Sequence, residues 1–240
     1  MKARQASHWS QSPFDTPAGA AYISTMNAHC CDHGHDDDLQ RGNPAYRRIL
    51  LAVLAINATM FAVEIVAGVA AGSAALQADA LDFLGDAANY TISLVVVGMA
   101  LRYRATAALL KGASMGAFGA WVLGITVWHA WHGTVPQAFT MGVVGLAALV
   151  ANGASFGLLW AYRGGDANMR SAWICTRNDV LGNLAVLAAA LGVFGSGTGW
   201  PDIAVAAIMA LLGLQGALVV VRQASGELRR TRRPTPLAAE

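Results

Sequence analysis

Two pairs of potential metal ligands stand out in this sequence, each set in an otherwise apolar stretch. Asp82 and Asp86 form the first pair, and Cys175 and Asp179 form the second. A spacing of four residues is one helical turn plus about 40°, so both members of a pair share a helix face. Two such pairs on neighbouring helices would place four ligands around one divalent cation.

The ligand types indicate which cation such a site would prefer. Three carboxylates and one thiolate make a four-ligand set of the kind that zinc accepts. The thiolate of Cys175 favours zinc or cadmium over magnesium or calcium. A lone Cys in a membrane helix is more often a small apolar filler, so the case for Cys175 depends on its spacing from Asp179.

Four further polar residues are placed where they could support the paired ligands. Asp79 extends the helix face of the first pair, and Asn183 continues the face of the second. Asn57 and Glu64 lie seven residues apart, on one face of an earlier helix. We expect these four residues to be accessory to the metal site. For Asp79, as for Asp82 and Asp86, the alternative is a structural polar cluster that holds helices together. For Asn57 and Glu64 the alternatives are hydrogen bonds to neighbouring helices and the lining of an entry path.

The elements that carry these residues are predicted to be membrane helices. Of the 240 residues, 55% are hydrophobic and only 12% are charged, about half the charged fraction of a soluble domain. Six apolar stretches are long enough to cross a hydrocarbon core of about 30 Å. The sequence therefore predicts an all-α integral membrane fold, a bundle of six transmembrane helices. They cover residues 49–71, 76–101, 109–131, 138–162, 172–194 and 203–221.

Basic residues predict the orientation of this bundle. They lie before the first predicted helix and after the second, fourth and sixth, whereas the three opposite joints contain no Lys or Arg. Arg102, Arg104 and Lys111 are assigned to the joint between helices two and three. Because basic residues stay on the cytoplasmic side, both termini are expected in the cytoplasm. We predict a multi-pass protein of the cell's inner (plasma) membrane.

Polar tails flank the predicted membrane domain of residues 45–222. Residues 1–44 are predicted to be a flexible cytoplasmic tail without a signal peptide, and residues 223–240 a short basic tail. The N-terminal tail lacks a fixed zinc-finger spacing, so flexible chelation is the preferred interpretation and mere solubilisation the alternative. Its expected weaker ligands are His29, Cys30, Cys31, His33 and His35.

The charges of the paired ligands suggest a mechanism. Four ionised ligands around one divalent cation leave a net charge of −2, which is unfavourable in a low-dielectric interior. The same site without metal would carry −4, so its groups are expected to hold protons until metal displaces them. A site that exchanges protons for a cation at membrane depth is the core of an antiporter. We predict inward proton flow coupled to outward metal movement.

Taken together, the two motifs resemble the cation diffusion facilitator (cation efflux) family of metal/proton antiporters. Residues 71–86 resemble the second-helix segment of that family, and residues 178–183 resemble its fifth-helix segment. The resemblance covers about residues 45–222 and implies six helices with both ends in the cytoplasm. It implies that the paired ligand positions are Asp82, Asp86, Cys175 and Asp179.

The sequence departs from the family pattern at two points. Cys175 stands where His or Asp is usual, which softens the expected metal preference toward cadmium or zinc. The family has a cytoplasmic C-terminal domain, a small ferredoxin-like fold that binds metal and helps dimerisation, and we expect this protein to lack it. The resemblance implies a homodimer, which the helices alone would then hold together.

These observations predict a secondary active transporter that exports zinc or cadmium, with cobalt as a further candidate. Its expected ligands are the transported metal and protons as counter-ion, with membrane lipid around it and no nucleic acid partner. One alternative is a transporter of the same fold for cobalt, nickel or iron, and another is a non-transporting metal sensor or buffer. An enzyme is not expected, because Ser196 lacks the rhomboid-like glycine pattern and the His-Glu-x-x-His motif is absent.

Overall fold

The computed structural model of the chain describes residues 44–95, 100–160 and 167–231, apart from some side chains within these ranges. All regular structure in the described ranges is helical, which confirms the predicted all-α bundle. The helices are α1 (Pro44–Ala71), α2 (Ala74–Val95), α3 (Leu101–His132), α4 (Ala138–Trp160), α5 (Ala167–Ser196) and α6 (Trp200–Thr231).

Helices α3 and α6 extend beyond the bounds that hydrophobicity predicts. The helical backbone of α3 begins at Leu101, because the stretch before Lys111 contains no Gly or Pro to break it. Arg102 and Arg104 therefore lie in the first turn of α3. Lys111 lies well inside the helix, and its assignment to the joint between helices two and three was wrong.

Five of the described helices, all except α2, are long and apolar enough to cross a membrane by length and composition. α2 carries three aspartates within 22 residues, which lower its apolar content. The other helices direct large apolar side chains outward, and Phe139 and Phe194 are 83% and 81% exposed. Surfaces of this kind require a lipid solvent. The chain is a multi-pass membrane protein.

α2 has the most enclosed position in the bundle. It contacts each of the other five helices, whereas the most extensive pairings are α3 with α6, α1 with α2, and α4 with α5. More than half of the residues of α2 are buried. A helix with several carboxylates is stable at membrane depth only if protein or water surrounds those groups, and this position keeps them away from lipid.

The three joints without Lys or Arg meet at one end of the bundle, which we call the outer end after its predicted orientation. Gly72 makes the turn between α1 and α2 at φ 65°, a left-handed conformation that Gly adopts without strain. The backbone N–H of Gln137 donates to the carbonyl of Ala71 at 3.0 Å, which ties the α3–α4 joint to this turn.

Next to the outer end lies a dry core, which we call the outer apolar cluster. It draws fully buried side chains from five helices, α2 to α6. Its members are buried apolar side chains that pack against one another, as in the interior of a soluble domain. Representative members, one from each helix, are Leu76, Val122, Met141, Val186 and Ala206.

Candidate metal centre

Three aspartates of α2 lie on one face, as their spacing predicts, and this face is turned toward α5. Asp79 and Asp86 are buried, and Asp82 is partly buried. Gly182 of α5 faces them, because a Cβ atom at that position would be in ordinary van der Waals contact with Asp82 Oδ2 at 3.6 Å and with Asp79 Oδ1 at 3.8 Å. The two carboxylates therefore lie on the side of α2 that packs against α5.

Asp179 approaches the same face of α2 near Asp86. The side chains of Asp86 and Asp179 lie within hydrogen-bonding reach of each other. Two carboxyl groups can form such a bond only when one of them carries a proton. Among the described residues, no donor reaches the buried Oδ2 of Asp179. The structure thus brings one predicted α2 ligand, Asp86, within reach of one predicted α5 ligand, Asp179.

The structure does not describe the side chains of the remaining predicted ligands. Cys175 belongs to α5, but its side chain is not among those described. Among the described side chains, no group of three or more His, Cys, Asp and Glu residues is gathered closely enough to hold a metal ion. The tail ligands in the undescribed residues 1–43 are His29, Cys30, Cys31, His33 and His35.

A chain of buried amides holds Asp79. Asn183 of α5 donates from Nδ2 to Asp79 Oδ2 at 2.7 Å. Asn152 of α4 donates from Nδ2 to Asn183 Oδ1 at 2.9 Å. All three side chains are buried, so the chain links α2, α4 and α5 in a low-dielectric interior where hydrogen bonds are strong. Two of the predicted accessory residues, Asp79 and Asn183, therefore meet directly.

Glu64 reaches Asp79 from the side of α1. Its side chain is fully buried and lies within hydrogen-bonding reach of Asp79. In the described part of the chain, no N–H or O–H donor reaches either carboxyl oxygen of Glu64. A hydrogen bond between Glu64 and Asp79 therefore requires a proton on one of the two carboxyl groups. Asn57 is also buried, but its amide donates to the carbonyl of Val53 at 2.8 Å, within its own helix.

Two residues close to this centre were not predicted from the sequence as site residues. Asn152 positions Asn183 through a hydrogen bond. The sequence signal that could have identified it is a lone amide in an apolar helix, because such an amide usually needs a partner at membrane depth. Lys111 is buried and electrostatically coupled to Asp86. The sequence signal that could have placed Lys111 inside α3 is the lack of any Gly or Pro between Leu101 and Lys111.

The helical region matches a known family of membrane domains. Residues 50–228 match the family model described as the cation efflux transmembrane domain. The chain belongs to the cation efflux family. The match runs from α1 to α6, so it includes every helix that carries a residue of the candidate centre. The family resemblance of the two paired motifs is thereby confirmed.

Individual members of the cation efflux family show moderate similarity to this chain. It is 31% identical over 196 residues to the zinc transporter ZitB of Pectobacterium atrosepticum, covering 75% of this chain and 60% of the relative. It is 29% identical over 212 residues to the zinc transporter ZitB of Escherichia coli, covering 82% of this chain and 66% of the relative. It is 27% identical over 201 residues to the metal cation efflux system protein CzcD of Cupriavidus metallidurans, covering 79% and 63%.

The chain spans only part of these cation efflux proteins. The matched region covers between 59% and 66% of the length of the curated relatives. The similarity therefore concerns the helical region in which the aspartates, the buried amides and Lys111 lie.

Replacing Asn183 by alanine should destabilise this family member by about 2–3 kcal/mol, because one substitution removes two buried hydrogen bonds. Asp79 would lose its amide donor, and Asn152 would lose its acceptor. The matched control is Leu184→Ala at the next position, which is 47% exposed to lipid. Thermal unfolding in detergent measures both variants, and equal Tm values for the two would show that the amide chain contributes nothing.

Proposed function

We propose that this protein is a secondary active transporter that moves divalent heavy-metal cations, zinc or cadmium, out of the cytoplasm in exchange for protons. The observation that carries the proposal is the approach of Asp179 on α5 to Asp86 on α2 inside the bundle. Three carboxylates supplied by two helices, with Cys175 as the fourth ligand, form a set that zinc and cadmium accept. The relatives bear the names zinc transporter and metal cation efflux protein, which supports these substrates.

The balance of charge supports proton exchange. Five carboxyl groups converge on the interior, whereas the described residues contribute one buried basic side chain there, that of Lys111. Several uncompensated charges cannot be held in a low-dielectric interior, so protons or a cation must neutralise them. A divalent cation that binds displaces protons, and protons that return displace the cation. The five groups belong to Glu64, Asp79, Asp82, Asp86 and Asp179.

The packing of the bundle supports alternating access to the two sides of the membrane. Asp79 lies only three residues, about 4.5 Å along the helix axis, from Leu76 of the outer apolar cluster. That cluster separates the carboxylates from the outer end. Release of metal on the outer side requires these helices to move apart, as in other secondary transporters.

Three further features belong to the proposal. The protein resides in the cell's inner (plasma) membrane with both termini in the cytoplasm, because the joints at the outer end lack basic residues. The N-terminal tail chelates metal before transport, because it is rich in His and Cys. The family resemblance supports assembly as a homodimer.

Flux of zinc and cadmium into proteoliposomes, with and without an imposed pH gradient, tests the proposal. We expect metal flux that rises when protons flow in the opposite direction and falls when an ionophore dissipates the gradient. Protein-free liposomes are the control. Flux indifferent to the gradient would overturn proton exchange, and no flux of any divalent metal by folded, inserted protein would overturn transport itself. A variant without residues 1–41 should keep most of its flux, whereas a buffer built on the tail would lose its effect.

A further inference from the structure

A buried lysine lies beside the candidate metal centre. Lys111 of α3 is only 6% exposed, and its ammonium group donates a hydrogen bond to Asn89 Oδ1 of α2. Asn89 is three residues beyond Asp86, on the side of α2 that leads to the end opposite the outer end. Asp86 is close enough to Lys111 for direct electrostatic attraction. A positive charge from α3 therefore lies about one helical turn from a predicted metal ligand.

The packing of α3 against α2 keeps Lys111 at this depth. Met115, one turn after Lys111, packs on α2 so closely that a Cβ at Gly85 would lie 3.0 Å from Met115 Cε. One turn further, a Cβ at Gly119 would lie 3.4 Å from Leu81 Cδ2. The two helices thus pack antiparallel, with a contact at every fourth residue of each helix. This register places Lys111 opposite Asn89, to which its ammonium group donates a hydrogen bond.

Burial of an ammonium group is costly, and packing alone does not require one at this position. A Met or Leu side chain would fill a similar volume without a charge, and a neutral amide could still bond to Asn89. The charge supplies attraction to Asp86, and it also repels another cation. A unit charge and a divalent cation several ångströms apart, at an effective dielectric constant of about 20, interact strongly enough to change a binding constant at least tenfold.

We infer that Lys111 is an affinity-determining residue of the metal centre, a fixed counter-cation that weakens divalent-cation binding so that the metal can leave. The inference rests on the proposed function. Several carboxylates and a thiolate would bind zinc or cadmium tightly, whereas transport requires a site from which the ion can also depart. The ammonium group offsets part of the carboxylate charge whether or not the metal is present. It thereby sets the balance between capture and release.

Calorimetric titration of cadmium into the purified full chain in detergent tests this role. Lys111→Met, similar in length and uncharged, should bind cadmium at least about tenfold more tightly than the wild type and transport it more slowly at saturation. The sign is informative, because a variant with mere packing damage would bind more weakly. Lys111→Gln, which can keep the bond to Asn89, should show the same tightening and replaces Lys111→Met if that variant does not fold.

Arg102→Met is the matched control, because it removes the same charge from an exposed position on the same helix. We expect its affinity to stay within about twofold of the wild type, since exposed charges are screened by solvent. Unchanged or weaker binding in both Lys111 variants would overturn the inference. No binding by the wild type would instead overturn the proposed function, whereas wild-type binding that Asp179→Ala abolishes would leave that function intact.

Discussion

Alanine at Asp86 or at Asp179 should lower metal flux at least about a hundredfold, because each substitution removes a carboxylate from the proposed centre. Loss of a residue that only supports a metal ligand already costs about 10- to 100-fold in affinity or activity. Loss of a ligand itself should cost at least the upper end of that range. The expected result is flux close to that of protein-free liposomes. Initial rates of zinc and cadmium uptake, at equal amounts of inserted protein, measure the effect.

Isosteric amides separate this effect from a loss of structure. Asp86→Asn and Asp179→Asn keep the shape of the side chain but cannot supply an anionic ligand, so they should be as inactive as the alanine variants. Glu227→Gln, a carboxyl-to-amide change near the end of α6, should keep wild-type flux. Wild-type flux in either Asn variant would remove that residue from the metal centre.

The local part of the centre could be predicted from the sequence because helix periodicity is a local property. The spacing of Asp79, Asp82 and Asp86 determines that they share a face, whatever surrounds the helix. The cost of burying carboxylates at membrane depth then indicated a functional site. The approach of Asp86 to Asp179 depends on how α2 packs against α5, and the resemblance to a family supplied that pairing.

The polar partners from α3 and α4 could not be predicted in the same way. Lys111 lies at the edge of an apolar stretch, where hydropathy does not reveal whether a basic residue belongs to a loop or to a buried helix face. Its surroundings follow from the packing of Met115 on Gly85, a contact between α3 and α2 that the sequence of neither helix reveals by itself. Asn152 is a single amide whose role appears only with its partner, Asn183.

The part of the chain that the structure describes contains the six predicted helices, although α2 is less apolar than its neighbours. Its length and its position between two short joints predicted a membrane helix, whereas its composition alone does not support one. The contact of α2 with all five other helices explains the difference. The outer end of this polar helix also has to be held in place.

Asp202 of α6 caps the outer end of α2. Its carboxylate accepts hydrogen bonds from Ser73 Oγ at 2.6 Å, from the backbone N–H of Ala74 at 2.9 Å and from that of Ala75 at 3.1 Å. The side chain is 1% exposed. It also lies in the first turn of its own helix, so the positive ends of two helix dipoles stabilise one carboxylate.

Asp202→Ala should therefore lower the free energy of unfolding by about 3 kcal/mol or more, because it leaves two backbone N–H groups and a hydroxyl buried without their acceptor. Ser73→Ala removes only one of these bonds, together with the bond that the N–H of Leu76 donates to Ser73 Oγ. It should therefore lower the free energy of unfolding by less than Asp202→Ala does. Asp202→Asn keeps one acceptor oxygen without the charge and should lie between the two. Thermal unfolding in detergent gives this order.

Metal flux should fall in the same order as stability, because Asp202 fixes the start of the helix that carries Asp82 and Asp86. A small shift of α2 along its axis changes the distance from both carboxylates to α5, and metal sites tolerate displacements of only about 0.5 Å. Asp202→Ala with wild-type stability would show that the cap is dispensable. Wild-type flux in an Asp202→Ala protein of lowered Tm would show instead that the cap stabilises the fold without positioning the metal centre.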